Sequence, residues 1–189
     1  MERIKVTEVT KSDTLAGKIP GLRDFPKFLS AVENTPDGST VILDWTGVEI
    51  ATASYFVATF VRLLRMTTAG DLDRYLAVTG LNSTCMDELK LALEIAEVVT
   101  LLIDGVKGRA KRSVQVLGNL HPAYVQTIDE VQKCEGVSAS ELHRRQVGTN
   151  HPIGKTGWIN RLSNLYRLRL VRKEKQGREF VFRGVMEEV

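Results

Sequence analysis

Three short runs of apolar, β-favouring residues recur through the first half of the chain, and segments with helical spacing separate them. The runs lie in TVILDWTGVEI, DRYLAVTG and VTLLIDG, and the segments between them are TASYFVATFVRLLRM and CMDELKLALEIAEVV. ERIKVTEV predicts an earlier strand and DFPKFLSAVEN an earlier helix, and Thr84 with Asp87 is typical of a capping box. Strands that alternate with helices predict an α/β layer with crossover connections.

The second half of the chain has a different pattern, with helices first and strands last. HPAYVQTIDEVQKCEG predicts one helix, and Ser138 with Glu141 forms a capping box before a second, ASELHRRQ. A third helix is predicted over residues 156–167. The alternating runs LVRKEK and REFVFRG, around Gln176-Gly177, predict a β-hairpin. We therefore expect an α+β arrangement here.

A basic, glycine-containing stretch, GVKGRAKRSVQVLGN, separates the two patterns. Its composition favours a linker or an exposed hairpin. The sequence thus predicts an α/β domain over residues 1–105, a basic linker or hairpin over 106–120 and an α+β domain over 121–189.

Charge is distributed unevenly between the two halves. Residues 107–189 contain 16 Lys and Arg against 8 Asp and Glu, whereas residues 1–106 contain 10 against 15. This asymmetry indicates that only the second half meets an anionic partner.

No apolar run is long enough to span a bilayer, and the N-terminus lacks a secretory signal. Cys85 and Cys134 form no ligand motif. We therefore expect a cytoplasmic protein without a membrane partner.

The predicted third helix separates into an apolar and a polar face when its residues are placed at about 100° intervals. The apolar arc contains Trp158, Ile159, Leu162, Leu165 and Tyr166. The polar face contains no acidic residue, and its side chains are of the types that bind base edges and phosphates. Its members are Thr156, Asn160, Ser163, Asn164 and Arg167, with Arg161 on the flank. Lys155 and Thr156 open the helix, where the backbone favours an anion.

The hairpin is rich in cations and carries only Glu174 and Glu179 as local acids. The cations expected to hold phosphates are Arg172, Lys173, Lys175 and Arg178. Three helices followed by a basic hairpin predict a helix-turn-helix unit with a wing, whose third helix reads the major groove of double-stranded DNA. A solvated basic surface on a protein-binding module is the alternative.

The segments VSASELHRRQ and INRLSNLYRLRLVRKEKQGREFVF resemble the winged helix-turn-helix domains of prokaryotic transcription regulators. The resemblance covers about residues 121–185 and implies sequence-specific DNA binding and dimerisation. Two features depart from the usual pattern. The loop VGTNHPIG is longer than usual, and Arg169 stands where glycine is common.

The segment VILDWTGVEIATASYFVATFVRLL resembles the STAS family, whose domains are related to anti-sigma factor antagonists. In the antagonists, a serine at the start of the helix is phosphorylated and switches binding to a kinase. The matching residue is Ser54, a candidate phosphoacceptor, although the position two before it is Thr52 and the position after it is Tyr55. A helix-capping role for Ser54, with dimerisation or partner binding through this domain, is the other interpretation.

Catalytic and cofactor motifs are weak. GTNHPIGKT has five residues before its Gly-Lys-Thr where a phosphate loop has four, and Asp44 has no second carboxylate at a useful spacing, which favours a structural role. We expect no enzyme activity, cofactor or metal.

The sequence predicts a DNA-binding transcription regulator whose STAS-like domain mediates dimerisation, sensing or partner binding. The alternative is a partner-switching protein that engages a kinase or regulatory protein and whose winged helix binds protein.

Overall fold

The computed structural model describes residues 1–104, 113–146 and 153–186. The chain divides into two compact units, residues 1–120 and residues 121–189, here called unit 1 and unit 2. Among the helices of the described residues, none combines the length and apolar character that a membrane span requires.

Unit 1 contains a five-stranded sheet. In chain order its strands are β1 (Glu2–Lys5), β3 (Thr40–Asp44), β5 (Tyr75–Thr79), β6 (Thr100–Asp104) and β7 (Ser113–Leu117), and a separate parallel pair is formed by β2 (Thr14–Leu15) and β4 (Ile50–Ala51). The spatial order is β1-β3-β5-β6-β7. The first four strands are parallel, and β7 runs antiparallel to β6 with Val116 opposite Leu101.

Every residue of β3 is buried, as expected for a central strand of a parallel sheet whose two faces are both shielded from water. This burial explains why the sequence of β3 is continuously apolar from Val41 to Leu43 instead of alternating. The predicted α/β architecture is confirmed for unit 1, and the structure shows that its sheet is mostly parallel.

Five helices connect the strands in the described part of unit 1. They are α1 (Val6–Thr10), α2 (Lys18–Glu33), α3 (Ala53–Ala58), α4 (Phe60–Ala69) and α5 (Ser83–Ala96). Helix α3 packs against both α2 and α5. The core beneath them is aromatic, with the ring of Trp45 at 4.6 Å from that of Phe56 and 6.4 Å from that of Phe28, centroid to centroid.

The contact between α2 and α3 is close and contains a buried polar pair. A Cβ added at Gly21 of α2 would lie 2.7 Å from the Cβ of Ala58 on α3, so only glycine fits there. The hydroxyl of Tyr55 donates to the carboxylate of Asp24 at 3.0 Å, and burial and the nearby Asp24 charge raise the pKa of Tyr55 far above its ordinary value. This bond satisfies two polar groups that burial would otherwise leave unpaired.

Three local predictions in unit 1 are wrong. The segment predicted as one strand at the N-terminus becomes helical after Lys5. The helix predicted after β4 is broken at Thr59, whose φ of −120° and ψ of −86° are not helical and whose buried hydroxyl donates to the carbonyl of Tyr55. The cap of α5 is Asn82, whose side-chain oxygen accepts from the backbone N–H of Cys85 at 2.8 Å, and not the Thr84–Asp87 pair.

Asp44, at the end of β3, has a structural role. Its carboxylate accepts from the backbone N–H of Thr46 at 3.0 Å and lies 3.0 Å from Nε of Arg3 on the neighbouring strand β1. Burial acts to raise the pKa of Asp44, but the hydrogen bonds from Thr46 and the charge of Arg3 outweigh burial, so this pKa lies below its ordinary value. The carboxylate therefore joins the edge strand to the loop that follows β3.

The described residues of unit 2 form three helices and a three-stranded antiparallel sheet. Its elements are α6 (Pro122–Gln132), β8 (Val137–Ser138), α7 (Ala139–Arg145), α8 (Lys155–Arg167), β9 (Val171–Gln176) and β10 (Glu179–Gly184). The strand order is β8-β10-β9. The predicted side-chain cap of α7 is confirmed, because the Ser138 hydroxyl accepts from the backbone N–H of Glu141 at 3.2 Å.

Residues 113–117 and the turn of the β9–β10 hairpin differ from the sequence prediction, and two internal segments lie outside the described residues. Residues 113–117, expected within a basic linker or hairpin, form the edge strand β7, while residues 105–112 and 147–152 lie outside the described part of the chain. The hairpin turn is one residue later than predicted, at Gly177-Arg178.

Replacing Asp44 with Asn should lower the free energy of unfolding at pH 7 by about 1–3 kcal/mol, because charged hydrogen bonds are lost. A carboxyl group whose folded pKa is lowered stabilises the fold above its unfolded pKa and loses that contribution as the pH falls through the folded pKa. The difference between wild type and Asp44→Asn in urea unfolding should therefore shrink on acidification. A difference that stays constant from neutral to acid pH would contradict this role.

Candidate nucleic-acid interface

Helix α8 is held in unit 2 by one apolar face. Trp158, Leu162 and Leu165 are buried and recur at spacings of four and three residues. The predicted apolar arc is wrong at Ile159, whose side chain is 44% exposed. The reason is geometric, since Ile159 lies roughly 100° around the helix from Trp158 and projects toward the β9–β10 hairpin.

The outward face of α8 is polar and carries no acid. Thr156, Asn160 and Arg167 are exposed, and Lys155 is exposed at the first turn. Ser163 is half-buried on the same side. This face combines a cation, an amide and hydroxyl groups, which are the donors and acceptors suited to base edges and phosphates.

Two predicted contact residues have partners inside unit 2. Asn164 is half-buried, and its Nδ2 donates to the hydroxyl of Tyr124 on α6 at 2.8 Å. The guanidinium carbon of Arg161 lies 5.7 Å from the ring centroid of Trp158. Asn164 therefore joins α8 to α6 through a hydrogen bond. The outward polar face of α8 contains fewer residues than the sequence predicted.

The start of α8 is fixed by α7. The backbone of Ile153 is bound on both sides, because its carbonyl lies 3.0 Å from Nδ1 of His143 and its N–H donates to Oε1 of Gln146 at 3.2 Å. Gly157 permits this approach, since a Cβ there would lie 2.8 Å from Cγ2 of Ile153. His143 is half-buried and helps to set the position of α8 relative to α7.

The end of α8 leads directly into the hairpin. The N–H of Leu170 donates to the carbonyl of Leu165, and the N–H of Arg169 donates to that of Tyr166, both at 3.0 Å. This is the Schellman arrangement, in which the residue at the Arg169 position takes a left-handed conformation. Arg169 has a φ of +59°, which explains why glycine is common at this position and shows that the arginine adopts the same turn.

The predicted hairpin cations do not all share one face. Lys173 and Lys175 lie on one side of β9, whereas Arg172 lies on the other side and its Nε is 3.4 Å from the carbonyl of Val185. Arg178 is exposed in the turn. The alternation of a strand therefore groups Lys173, Lys175 and Arg178 and separates Arg172 from them.

A cleft of about 320 Å³ lies between α8, the start of α7 and the hairpin. From α8 it is lined by Lys155, Ile159 and Ser163, and from the hairpin by Lys173 and Phe180 among others. Phe180 is 48% exposed, and Nζ of Lys173 lies 3.9 Å from the centroid of its ring. The cleft thus has apolar walls and a cationic rim, a feature that the sequence pattern did not reveal.

Glu179 is the acid nearest this cationic rim. Its carboxylate accepts from the hydroxyl of Ser140 and lies 4.0 Å from Nζ of Lys155. The pKa of Glu179 lies below its ordinary value because of the hydrogen bonds from Ser140 and Ser138 and the charges of Lys155 and Arg144. The acid therefore stays charged and ties the start of α7 to the hairpin.

Ser54, the candidate phosphoacceptor of unit 1, is exposed as the second residue of α3. Its Oγ lies 3.2 Å from Oγ1 of Thr52, which occupies the N-cap position. The carboxylate of Glu88 on α5 accepts from the N–H of Ala53 at 2.6 Å, so Ser54 does not supply the cap bond. Phosphorylation of Ser54 stays a prediction.

Comparison of the chain with protein-family models, curated proteins and solved structures found no match. In the described ranges 1–104, 113–146 and 153–186, no group of three or more His, Cys, Asp and Glu side chains has the arrangement of a metal site.

Two asparagines of α8, one turn apart, should behave differently in unfolding experiments. Asn164→Ala should lower the free energy of unfolding by about 0.5–1.5 kcal/mol, because the bond to Tyr124 is lost. Asn160→Ala, at an exposed position, should leave it nearly unchanged. Tyr124→Phe should cost as much as Asn164→Ala, and the double variant should cost no more than either. Additive losses in chemical denaturation would contradict the pairing.

Proposed function

We propose that unit 2 is a winged helix-turn-helix domain that binds double-stranded DNA. In this proposal α7 and α8 are the helix-turn-helix, α8 enters the major groove, and the β9–β10 hairpin is the wing. The order of three helices and three strands, with β8 pairing the hairpin, supports this assignment. Helix α8 has 13 residues, or about 20 Å, enough to cross a groove about 12 Å wide.

The observation that carries the proposal is the outward face of α8. Thr156, Asn160 and Arg167 project away from the buried residues, and no acid interrupts them. A solvated helix face on an ordinary soluble domain usually mixes charges of both signs. A face limited to a cation, an amide and a hydroxyl matches the chemistry of base edges and phosphates.

The hairpin cations extend the same surface. Lys175 and Arg178 are exposed near the turn, and Lys173 faces the cleft beside α8. Lys155 at the start of α8 lines the same cleft as Lys173 and Arg178, so these cations form one cationic flank beside the outward face of α8. In the proposed complex this flank holds backbone phosphates and α8 supplies the base contacts.

We propose further that unit 1 is a STAS-like domain and that the whole chain is a transcription regulator. The parallel sheet with β3 ending in Asp44, followed by α3 with Ser54 exposed, supports this assignment. Unit 1 then supplies dimerisation, sensing or partner binding, while unit 2 supplies the contact with DNA.

The competing function is a partner-switching protein whose unit 2 binds protein. The cleft beside α8 has exposed apolar side chains, Ile159 and Phe180, which are compatible with a protein partner. The two functions differ in their dependence on salt, because only binding to a polyphosphate releases many condensed counterions.

Neutralising three cations should weaken binding to random-sequence duplex DNA and flatten its salt dependence. The variant Lys155→Ala/Lys175→Ala/Arg178→Ala removes exposed cations from both α8 and the hairpin. Each lost phosphate contact should reduce the slope of log K against log salt by about 0.9, so the slope should fall by about 2 to 3. Fluorescence anisotropy of labelled duplex DNA with the full chain, at a series of salt concentrations, measures this slope.

The matched control is Lys133→Ala, which removes a cation of the same unit that is paired with Glu130 on α6 and lies outside the proposed interface. It should leave the slope of the wild type unchanged. Absence of DNA binding by the wild type even at low salt would overturn the proposal and favour the protein-binding alternative.

Asn160 should act on sequence specificity. Asparagine pairs with adenine through two hydrogen bonds in the major groove, and such a pair contributes about 1–3 kcal/mol of discrimination. After a site has been selected from random duplexes, Asn160→Ala should weaken binding to that site by this amount and leave binding to random DNA nearly unchanged. Gln132→Ala, exposed on α6, is the control. Equal losses on both DNAs would rule out base reading by Asn160.

A further inference from the structure

A second surface, on the helices of unit 1, has its own charge pattern. A groove of about 550 Å³ has α3 as its floor, including Ser54 and Val57. Lys18 of α2, and Arg62 and Arg65 of α4, supply its cations. Among the described residues that line it, none is acidic, although residues 1–106 as a whole carry five more acids than bases.

The two arginines are held in place by the helices on either side of α3. The guanidinium carbon of Arg62 lies 3.8 Å from the ring centroid of Phe25 on α2. Nη2 of Arg65 donates to the carbonyl of Ala96, at the end of α5, at 3.1 Å. Because these contacts order the side chains in advance, an anionic group that binds here loses less side-chain entropy than with free arginines.

The outer face of α5, which borders the groove, has the opposite character. Ile95 lines the groove and is 65% exposed, and Leu91, one turn earlier, is 46% exposed. Acids flank these apolar side chains, with Asp87 and Glu94 exposed and Glu88 half-buried against α3. The one cation on this face, Lys90, forms an ion pair with Asp87 at 3.6 Å.

The groove and the outer face of α5 therefore form one continuous surface with a basic side and an acidic, apolar side. Leu22, 43% exposed, adds an apolar side chain to the basic side, one helical turn after Lys18. Such a surface is complementary to itself after a two-fold rotation, which is the condition for a symmetric dimer interface.

We propose that this surface joins two copies of the chain. Helix α5 of each copy lies in the groove of the other, with Leu91 and Ile95 over α3 and the acids of α5 beside Arg62 and Arg65. The exposed aliphatic side chains supply the apolar centre that a stable interface requires, and the charges set the register. The proposal does not depend on DNA binding by unit 2.

Charge reversal on each side of the surface tests the dimer. Sedimentation velocity of the full chain at tens of micromolar should give a dimer for the wild type. Arg62→Glu/Arg65→Glu makes both sides acidic, and Asp87→Lys/Glu94→Lys makes both sides basic, so each variant alone should sediment as a monomer. Mixed in equal amounts, they should form a dimer containing one copy of each, because every contact in it pairs opposite charges.

The control Lys5→Glu/Lys11→Glu changes the charge of unit 1 by the same amount as the arginine variant, at exposed positions outside the groove lining, and should stay dimeric. Circular dichroism checks that the variants are folded. A monomeric wild type, a dimer that survives both reversals, or two monomeric variants that do not associate when mixed would each overturn the proposal.

Discussion

The burial of Trp158, Leu162 and Leu165 in unit 2 is the constraint on which the proposed DNA contact depends. Once these side chains are in the core, the rotation of α8 is fixed, and Thr156, Asn160 and Arg167 project outward as a consequence. Hydrogen bonds at the two ends of α8 fix the position of the helix within unit 2. α7 binds both backbone groups of Ile153 before the helix begins, and the Schellman turn after Leu168 directs the chain into the hairpin.

The two units present cations in physically different ways. On unit 2 the exposed cations are spread over α8 and the hairpin, a layout suited to the extended phosphate backbone of a duplex. On unit 1 Arg62 and Arg65 are ordered by neighbouring helices, and the outer face of α5 that borders their groove is acidic and apolar. The layout on unit 2 favours DNA, because its cations can bind phosphates of any sequence while α8 contacts bases. The layout on unit 1 favours a compact partner that presents carboxylates and aliphatic side chains.

Sequence reasoning succeeded where a local period determines the structure. The period of the apolar residues predicted α8 to within one residue of its start, and the apolar, β-favouring run that contains residues 41–43 predicted a strand of the α/β layer. The alternation of side chains along a strand is also a local period, and it would have separated Arg172 from Lys173.

Prediction from the sequence failed where the partner of a residue is distant in the chain. Asn164 is bound by Tyr124 forty residues away, and the N-terminus of α3 is capped by Glu88 of α5, thirty-five residues away. The groove of unit 1 also needs side chains from four helices, and no pattern along the chain brings them together.

Contact between the outward face of α8 and DNA can be followed residue by residue in the amide chemical shifts of the ¹⁵N-labelled chain during titration with duplex DNA. We expect the largest changes at Thr156, Asn160 and Arg167, with smaller changes at Lys173 and Lys175. Chemical-shift changes confined to α6 or to unit 1, or no changes at saturating duplex, would contradict contact between α8 and DNA.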